Sequence, residues 1–109
     1  MANLPVAIFN GLVCTSNGLY RISDLTPEEG RELIARHGFV SAVGHAASAA
    51  VLSEVLGVEI EMNRIQYRQQ VNQKAIALVL KVRPPEGEIL NAEQMREIGF
   101  DLKLMERLY

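Results

Sequence analysis

The run Ser41-Ala42-Val43-Gly44-His45 sets an imidazole directly after a glycine, at the expected start of a helix. Histidine titrates near neutrality and can hand a proton to a leaving group. The free backbone N–H groups at a helix start favour an anion, and glycine lets a phosphate approach the backbone. His45 is therefore a candidate general acid, with Ser41 and Gly44 as candidate ligand contacts. A second candidate is the alternating stretch 63–69, where Arg64, Gln66 and Arg68 would share one face of a strand, opposite Ile65 and Tyr67. Guanidinium groups on one face suit phosphates, because each presents a planar fork of donors. A third is the segment 83–87, in which Arg83 and Glu86 flank two prolines that stiffen the backbone. Taken alone, each feature also has an ordinary structural explanation. His45 would be an N-terminal helix residue, the arginine face a solvated edge strand, and the proline segment a surface turn with an ion pair.

Other chemistries find little support. His37 and His45 are the only histidines, and no acidic or cysteine cluster has metal-ligand spacing, so no metal and no cofactor are expected. Glycine-rich phosphate loops of the Walker or dinucleotide type are absent. Cys14 is the only cysteine, which rules out a disulfide within the chain and suits a reducing cytoplasm. A net charge of −2 argues against a general nucleic-acid binder, so duplex DNA is not an expected partner. It leaves room for a small arginine cluster that holds a short oligonucleotide. No apolar run has the length of a transmembrane helix, and residues 1–9 read as a first strand rather than a signal peptide. A cytoplasmic protein without membrane contact is expected.

The elements that must position these groups can be read from punctuation and periodicity. The 109 residues suit a single domain, 1–109, and a chain this short would cover more of its surface as a dimer. Residues 4–9 form a compact apolar run ending at the Asn10-Gly11 turn signal, and 19–22 are a candidate second strand. Thr26 as cap, Pro27 at the first position and Glu29 as box partner open a helix that Gly38 stops. A second helix runs from Gly44 or His45 to Leu56, with Gly57 as its stop. Strands are expected at 63–69 and 75–82, then a loop through the double proline. A short helix capped by Asn91 with Gln94, and a last strand from Phe100, complete the chain. The order β-β-α-α-β-β-α-β predicts an α+β fold: one compact domain with a mixed sheet of about five strands and flanking helices.

Several of these segments together resemble the viral ring nuclease family. They are 39–45 with its glycine-histidine pair, 52–58, the Asn63-Arg64 pair, and Arg83 to Gly87 followed by Ile89-Leu90. The resemblance runs from the first strand to the last. It implies a homodimer that binds cyclic tetra-adenylate across its two-fold axis and cuts it without metal, as an anti-CRISPR protein against type III systems. By the same resemblance His45, Arg83 and Glu86 would be catalytic. Arg64 would hold the ring phosphates, Arg68 and Gln66 would extend that contact, and Asn10 would fall in a stretch that touches ligand. Two other classes remain open at this point. One is a module that binds a cyclic oligonucleotide without turning it over, and the other a protein-interaction domain that exposes Arg64, Gln66 and Arg68.

Overall fold

A computed structural model describes residues 4–81 and 91–109. The expected loop at 83–87, with Arg83 and Glu86, lies outside the described residues. Among the described residues, five strands and three helices follow one another as β1 (Val6–Phe9), β2 (Tyr20–Leu25), α1 (Pro27–His37), β3 (Phe39–Ser41), α2 (Ala46–Leu56), β4 (Lys74–Leu80), α3 (Ala92–Ile98) and β5 (Phe100–Arg107). The strands form one mixed sheet in the order β2-β5-β4-β1-β3, so the α+β class and the five-stranded mixed sheet are as expected. β1 runs parallel to both β3 and β4, whereas β5 is antiparallel to β4 and β2. None of the described helices is long and apolar enough to cross a membrane.

The helix ends follow the local signals. Thr26 and Glu29 close a capping box on α1, Asn91 and Gln94 close one on α3, and glycines stop all three helices. At the C-terminal ends of α1 and α2, Gly38 and Gly57 have φ of 73° and 68°, the left-handed region where a Cβ is strained. Along the strands, alternation divides the apolar residues between two faces. Val6, Ile8, Ile76, Leu78 and Leu102 meet Ile34, Leu52, Leu56 and Met95 of the helices in the main core. Ala7, Phe9, Ala75 and Met105 face the other way, where Tyr20, Val40 and Tyr67 pack on them. On the edge strand β2, Arg21 and Asp24 pair with the directly opposite Glu106 and Lys103 of β5. Charges along an edge discourage pairing with another chain.

The element order departs from expectation in two linked places. Residues 63–69 are not a strand: an isolated bridge joins Met62 to Val43, and beyond it the chain has no ladder. Ile65, expected on the face opposite the arginines, is 46% exposed. Alternation over a few residues reports that one side is more apolar, not that a neighbouring strand is free to pair. The missing strand is instead β3, three residues directly after Gly38, too short to show a period. The segment at 63–73 then lies over the second sheet face, held by side chains. Gln69 and Gln73 are 0% and 1% exposed. The Gln69 amide donates to the carbonyls of Gln73 and Met105 at 2.7 and 2.8 Å. That of Gln73 donates to the Pro5 carbonyl and the Tyr67 hydroxyl, each at 2.8 Å.

Gly30 lies inside α1, where glycine weakens a helix by about 1 kcal/mol relative to alanine. Its reason is close approach: a Cβ there would meet Leu56 Cδ2 at 2.8 Å, with Leu25 and Ile76 just behind. Gly30→Val should lower the unfolding free energy by about 2 kcal/mol through overpacking, measured by urea denaturation. The Thr26 backbone N–H, and after it the Thr26 hydroxyl, hold the Glu29 carboxyl below its ordinary value, with slight burial opposing them. This contribution to stability is present above the ordinary carboxylate value and is lost as pH falls through the lowered one. Glu29→Gln should therefore flatten that part of the Tm-against-pH profile.

Candidate functional site

Because β1 and β3 are adjacent and parallel, their carboxyl ends open on the same edge of the sheet, where ligands of open α/β sheets usually bind. β1 delivers Asn10, and β3 delivers the run from Ala42 to His45 that leads into α2. The pairing with β1 continues one residue past β3, with the Ala42 N–H donating to the Ile8 carbonyl at 2.9 Å. The chain returning from α2 is then tied beside β3. The Ser41 hydroxyl donates to the Glu61 carbonyl at 2.6 Å, the Asn63 amide to the Ser41 carbonyl at 2.8 Å, and the Asn63 N–H to the Val43 carbonyl at 2.7 Å. Ser41 is buried and its hydroxyl engaged, so this side chain positions the segment.

The clamp brings Asn10, Gly44 and Arg64 together. The Gly44 N–H donates to Asn10 Oδ1 at 3.2 Å, and its carbonyl accepts Arg64 Nε and Nη2 at 3.2 and 3.1 Å. A Cβ on Gly44 would find its nearest neighbours, Arg64 and Asn10, at 3.8–4.0 Å, which is ordinary contact. Packing alone therefore does not require a glycine here. His45 follows as the N-cap of α2, in extended conformation at φ −132° and ψ 132°, and its side chain makes no capping bond. Ser, Thr, Asp and Asn are the residues that stabilise this position. Here an exposed imidazole stands at it, and the first turn of α2 carries no acidic residue.

The supposed face of Arg64, Gln66 and Arg68 divides. Arg64 turns to Gly44, while Gln66 and Arg68 line a cleft of about 460 Å³ together with Phe9, Asn10 and Tyr67. Asn10 thus belongs to both places. Arg83 and Glu86 are outside the described residues, so their position relative to His45 is not part of this geometry. Among the described residues no group of three or more His, Cys, Asp or Glu side chains could hold a metal ion. Sequence reasoning missed Asn63 as a clamp, along with the buried Gln69 and Gln73. Its one available signal was Asn72, between Val71 and Gln73, a turn residue at φ 68°.

A family model described as STIV B116-like matches residues 6–102. The chain belongs to the STIV B116-like family. Its relatives include uncharacterized protein 26 of Sulfolobus islandicus filamentous virus (isolate Iceland/Hveragerdi), 40% identical over 84 residues, 76% of this chain and 71% of that protein. Protein ORF117 of Acidianus two-tailed virus, also uncharacterized, is 39% identical over 82% of this chain and 79% of its own. The family extends to a bacterium: uncharacterized protein YddF of Bacillus subtilis (strain 168) is 32% identical over 96% of this chain and 99% of its own. The structure of B116 of Sulfolobus turreted icosahedral virus aligns with a TM-score of 0.68 over 94% of this chain and 99% of that one. At 16% identity that likeness speaks for the B116 fold and not for an activity.

The clamp makes a prediction within this family member. Asn63→Ala removes the donor to the buried Ser41 carbonyl and should destabilise the protein by about 1–2 kcal/mol. It should also speed hydrogen exchange at the Gly44 amide, read by NMR, more than at β4 amides.

Proposed function

We propose that this protein is a metal-independent ring nuclease. It opens a cyclic oligoadenylate, cyclic tetra-adenylate in the first place, into linear di-adenylates ending in 2′,3′-cyclic phosphates, and so switches off type III CRISPR signalling. The observation that carries this reading is His45, an exposed imidazole at an N-cap it does not cap, beside a glycine that packing does not require. Local choices that weaken an element without a packing gain are expected at functional sites. Further support comes from the Arg64 guanidinium next to Gly44, from the adjoining cleft, and from the resemblance of the histidine, asparagine-arginine and proline-loop segments to viral ring nucleases. The viral relatives fit a role against host signalling.

In this mechanism the 2′-hydroxyl of one ribose attacks its neighbouring phosphorus in line and gives up its proton to solvent. The bond from phosphorus to the 5′-oxygen breaks, and His45, as imidazolium, protonates that oxygen as it leaves. The products are a 2′,3′-cyclic phosphate and a free 5′-hydroxyl, and His45 takes a proton back from water. Arg64 holds the ring phosphates and bends the ligand toward the in-line geometry. Arg83 offsets charge on the phosphoryl oxygens, and Glu86 orients Arg83 or His45. A homodimer offers two such sets to a ring of matching symmetry, and two cuts release two di-adenylates.

With synthetic cyclic tetra-adenylate in excess EDTA, the wild type should turn over many rings. His45→Ala should be slower by about a hundredfold or more while binding the ring as before, as chromatography and calorimetry would record. Tight binding with no product from either protein would replace this reading with a sequestering module.

A further inference from the structure

The sheet has two outer edges, and they are guarded differently. β2 carries Arg21 and Asp24, paired with Glu106 and Lys103 of β5. β3 reads Phe39-Val40-Ser41, with no charge to keep a further strand away. The ladder with β1 decides where its backbone groups point. The Gly38 carbonyl accepts the Val6 N–H at 3.0 Å, and the Ala42 N–H donates to the Ile8 carbonyl, so residues 38, 40 and 42 turn to β1. Residues 39 and 41 turn outward, and the Ser41 carbonyl duly accepts the Asn63 amide on that side. The Phe39 N–H, the Phe39 carbonyl and the N–H of the buried Ser41 are left there without a partner among the described residues.

The chain returning from α2 leaves this stretch of edge open. Beside Ser41 and Val43 it is bonded, through the Glu61 carbonyl and the Met62 bridge. One residue earlier its backbone is engaged by α2 instead. The Ile60 N–H donates to Ser53 Oγ at 2.8 Å, and the Ile60 carbonyl accepts that hydroxyl at 3.2 Å. A groove of about 320 Å³ results, lined by Phe39, Val40, Ser41, Glu59, Glu61 and Asn63. Glu59 and Glu61 are exposed, and neither carboxylate has an ion-pair partner among the described residues.

We propose that the β3 edge is a docking site for an extended, lysine- or arginine-bearing segment of another protein, which adds to the sheet as a further strand. Main-chain bonds to Phe39 and Ser41 attach it, and the groove receives alternate side chains. Charge selects the partner: a basic side chain on the added strand meets Glu59 and Glu61, two carboxylates that no cation offsets among the described residues. The same charges disfavour a second copy of this chain. Pairing β3 with β3 about a two-fold axis would bring the glutamates of both copies to one junction. The groove shares no lining residue with the cleft of Gln66 and Arg68, so the inference stands apart from the nuclease reading. Its strand nevertheless runs directly into Gly44 and His45, which places a docked partner next to the segment that carries the candidate general acid.

Titration of the 15N-labelled protein with a capped peptide of alternating lysine and valine tests this. The peptide should bind saturably, shift the Phe39 and Ser41 amide signals and slow their exchange with solvent. The Val40 amide, which faces β1, should exchange as before. A peptide of alternating glutamate and valine should bind about tenfold more weakly, and a fully N-methylated lysine peptide, which has no N–H to donate, should not bind. Glu59 and Glu61 are exposed, so the double variant Glu59→Gln, Glu61→Gln should keep the wild-type Tm. It should bind the lysine peptide about three- to tenfold more weakly. No saturable binding, equal affinity for the acidic or the N-methylated peptide, or unchanged affinity in the double variant would each overturn the inference. Phe39 and Ser41 signals that move with protein concentration alone would assign the edge to a second copy and overturn it as well.

Discussion

Two side chains, Ser41 and Asn63, fasten the chain that leaves α2 to the end of β3, and the site hangs from that attachment. β3 is an edge strand of three residues, and an edge that short presents few backbone groups for a neighbour to pair with. The Ser41 hydroxyl and Asn63 amide supply the missing bonds by reaching across to carbonyls on opposite segments. Arg64 follows Asn63 in sequence, so fixing the one aims the other at the Gly44 carbonyl. The same two bonds set the exit of β3, and with it the direction in which His45 enters α2. Each such bond contributes only about 1 kcal/mol, but a partner removed from a buried group leaves a larger penalty. The arrangement is therefore held more by the cost of breaking it than by its own strength.

On the second sheet face, an irregular segment does the work that helices do on the first. Helices satisfy their own backbone and need only bury a stripe. The segment at 63–73 has no such ladder, and its polar groups are met one by one by Thr15, Gln73 and Arg107. Gln69 and Gln73 serve as cross-links between this segment, β5 and the chain before β1. Among the described residues two buried atoms, Gln69 Oε1 and the Nε of Arg107 that serves this segment, are left without a partner, a cost that a ladder would not incur. What the irregularity provides is concavity: a strand laid flat on Phe9 and Ala42 would have filled the space that is now the cleft.

The three helix starts contrast with one another. α1 and α3 begin with complete capping boxes, Thr26 with Glu29 and Asn91 with Gln94. α2 begins with a histidine that leaves its own helix uncapped. The two well-capped helices start away from Gly44, Arg64 and Asn10 in the chain, with Thr26 and Asn91 as their caps. The third gives up such a cap at the one end that opens beside Arg64 and Asn10. Gly44 fits the same pattern, since a methyl group there would disturb nothing in the fold.

Much of the architecture was legible in the residues alone. Both capping boxes, the glycine stops at 38, 57 and 99, and the apolar runs of β1 and β4 depend on residues within about four positions of one another. So do the glycine-histidine pair at a helix start and the alternation that assigns β5. β3, the path of 63–73, and the parting of Arg64 from Gln66 and Arg68 were decided by the tertiary structure. These features rest on bonds between residues 41 and 61, 44 and 64, 69 and 105, and 5 and 73, each pair 20 or more positions apart. An alternating pattern tells which side of a segment prefers apolar company, but the sheet already formed determines whether that company is an edge or a face. Here the edge beside β3 could take a single bridge at Met62, and the apolar face over Ala7, Phe9 and Met105 still lacked a cover.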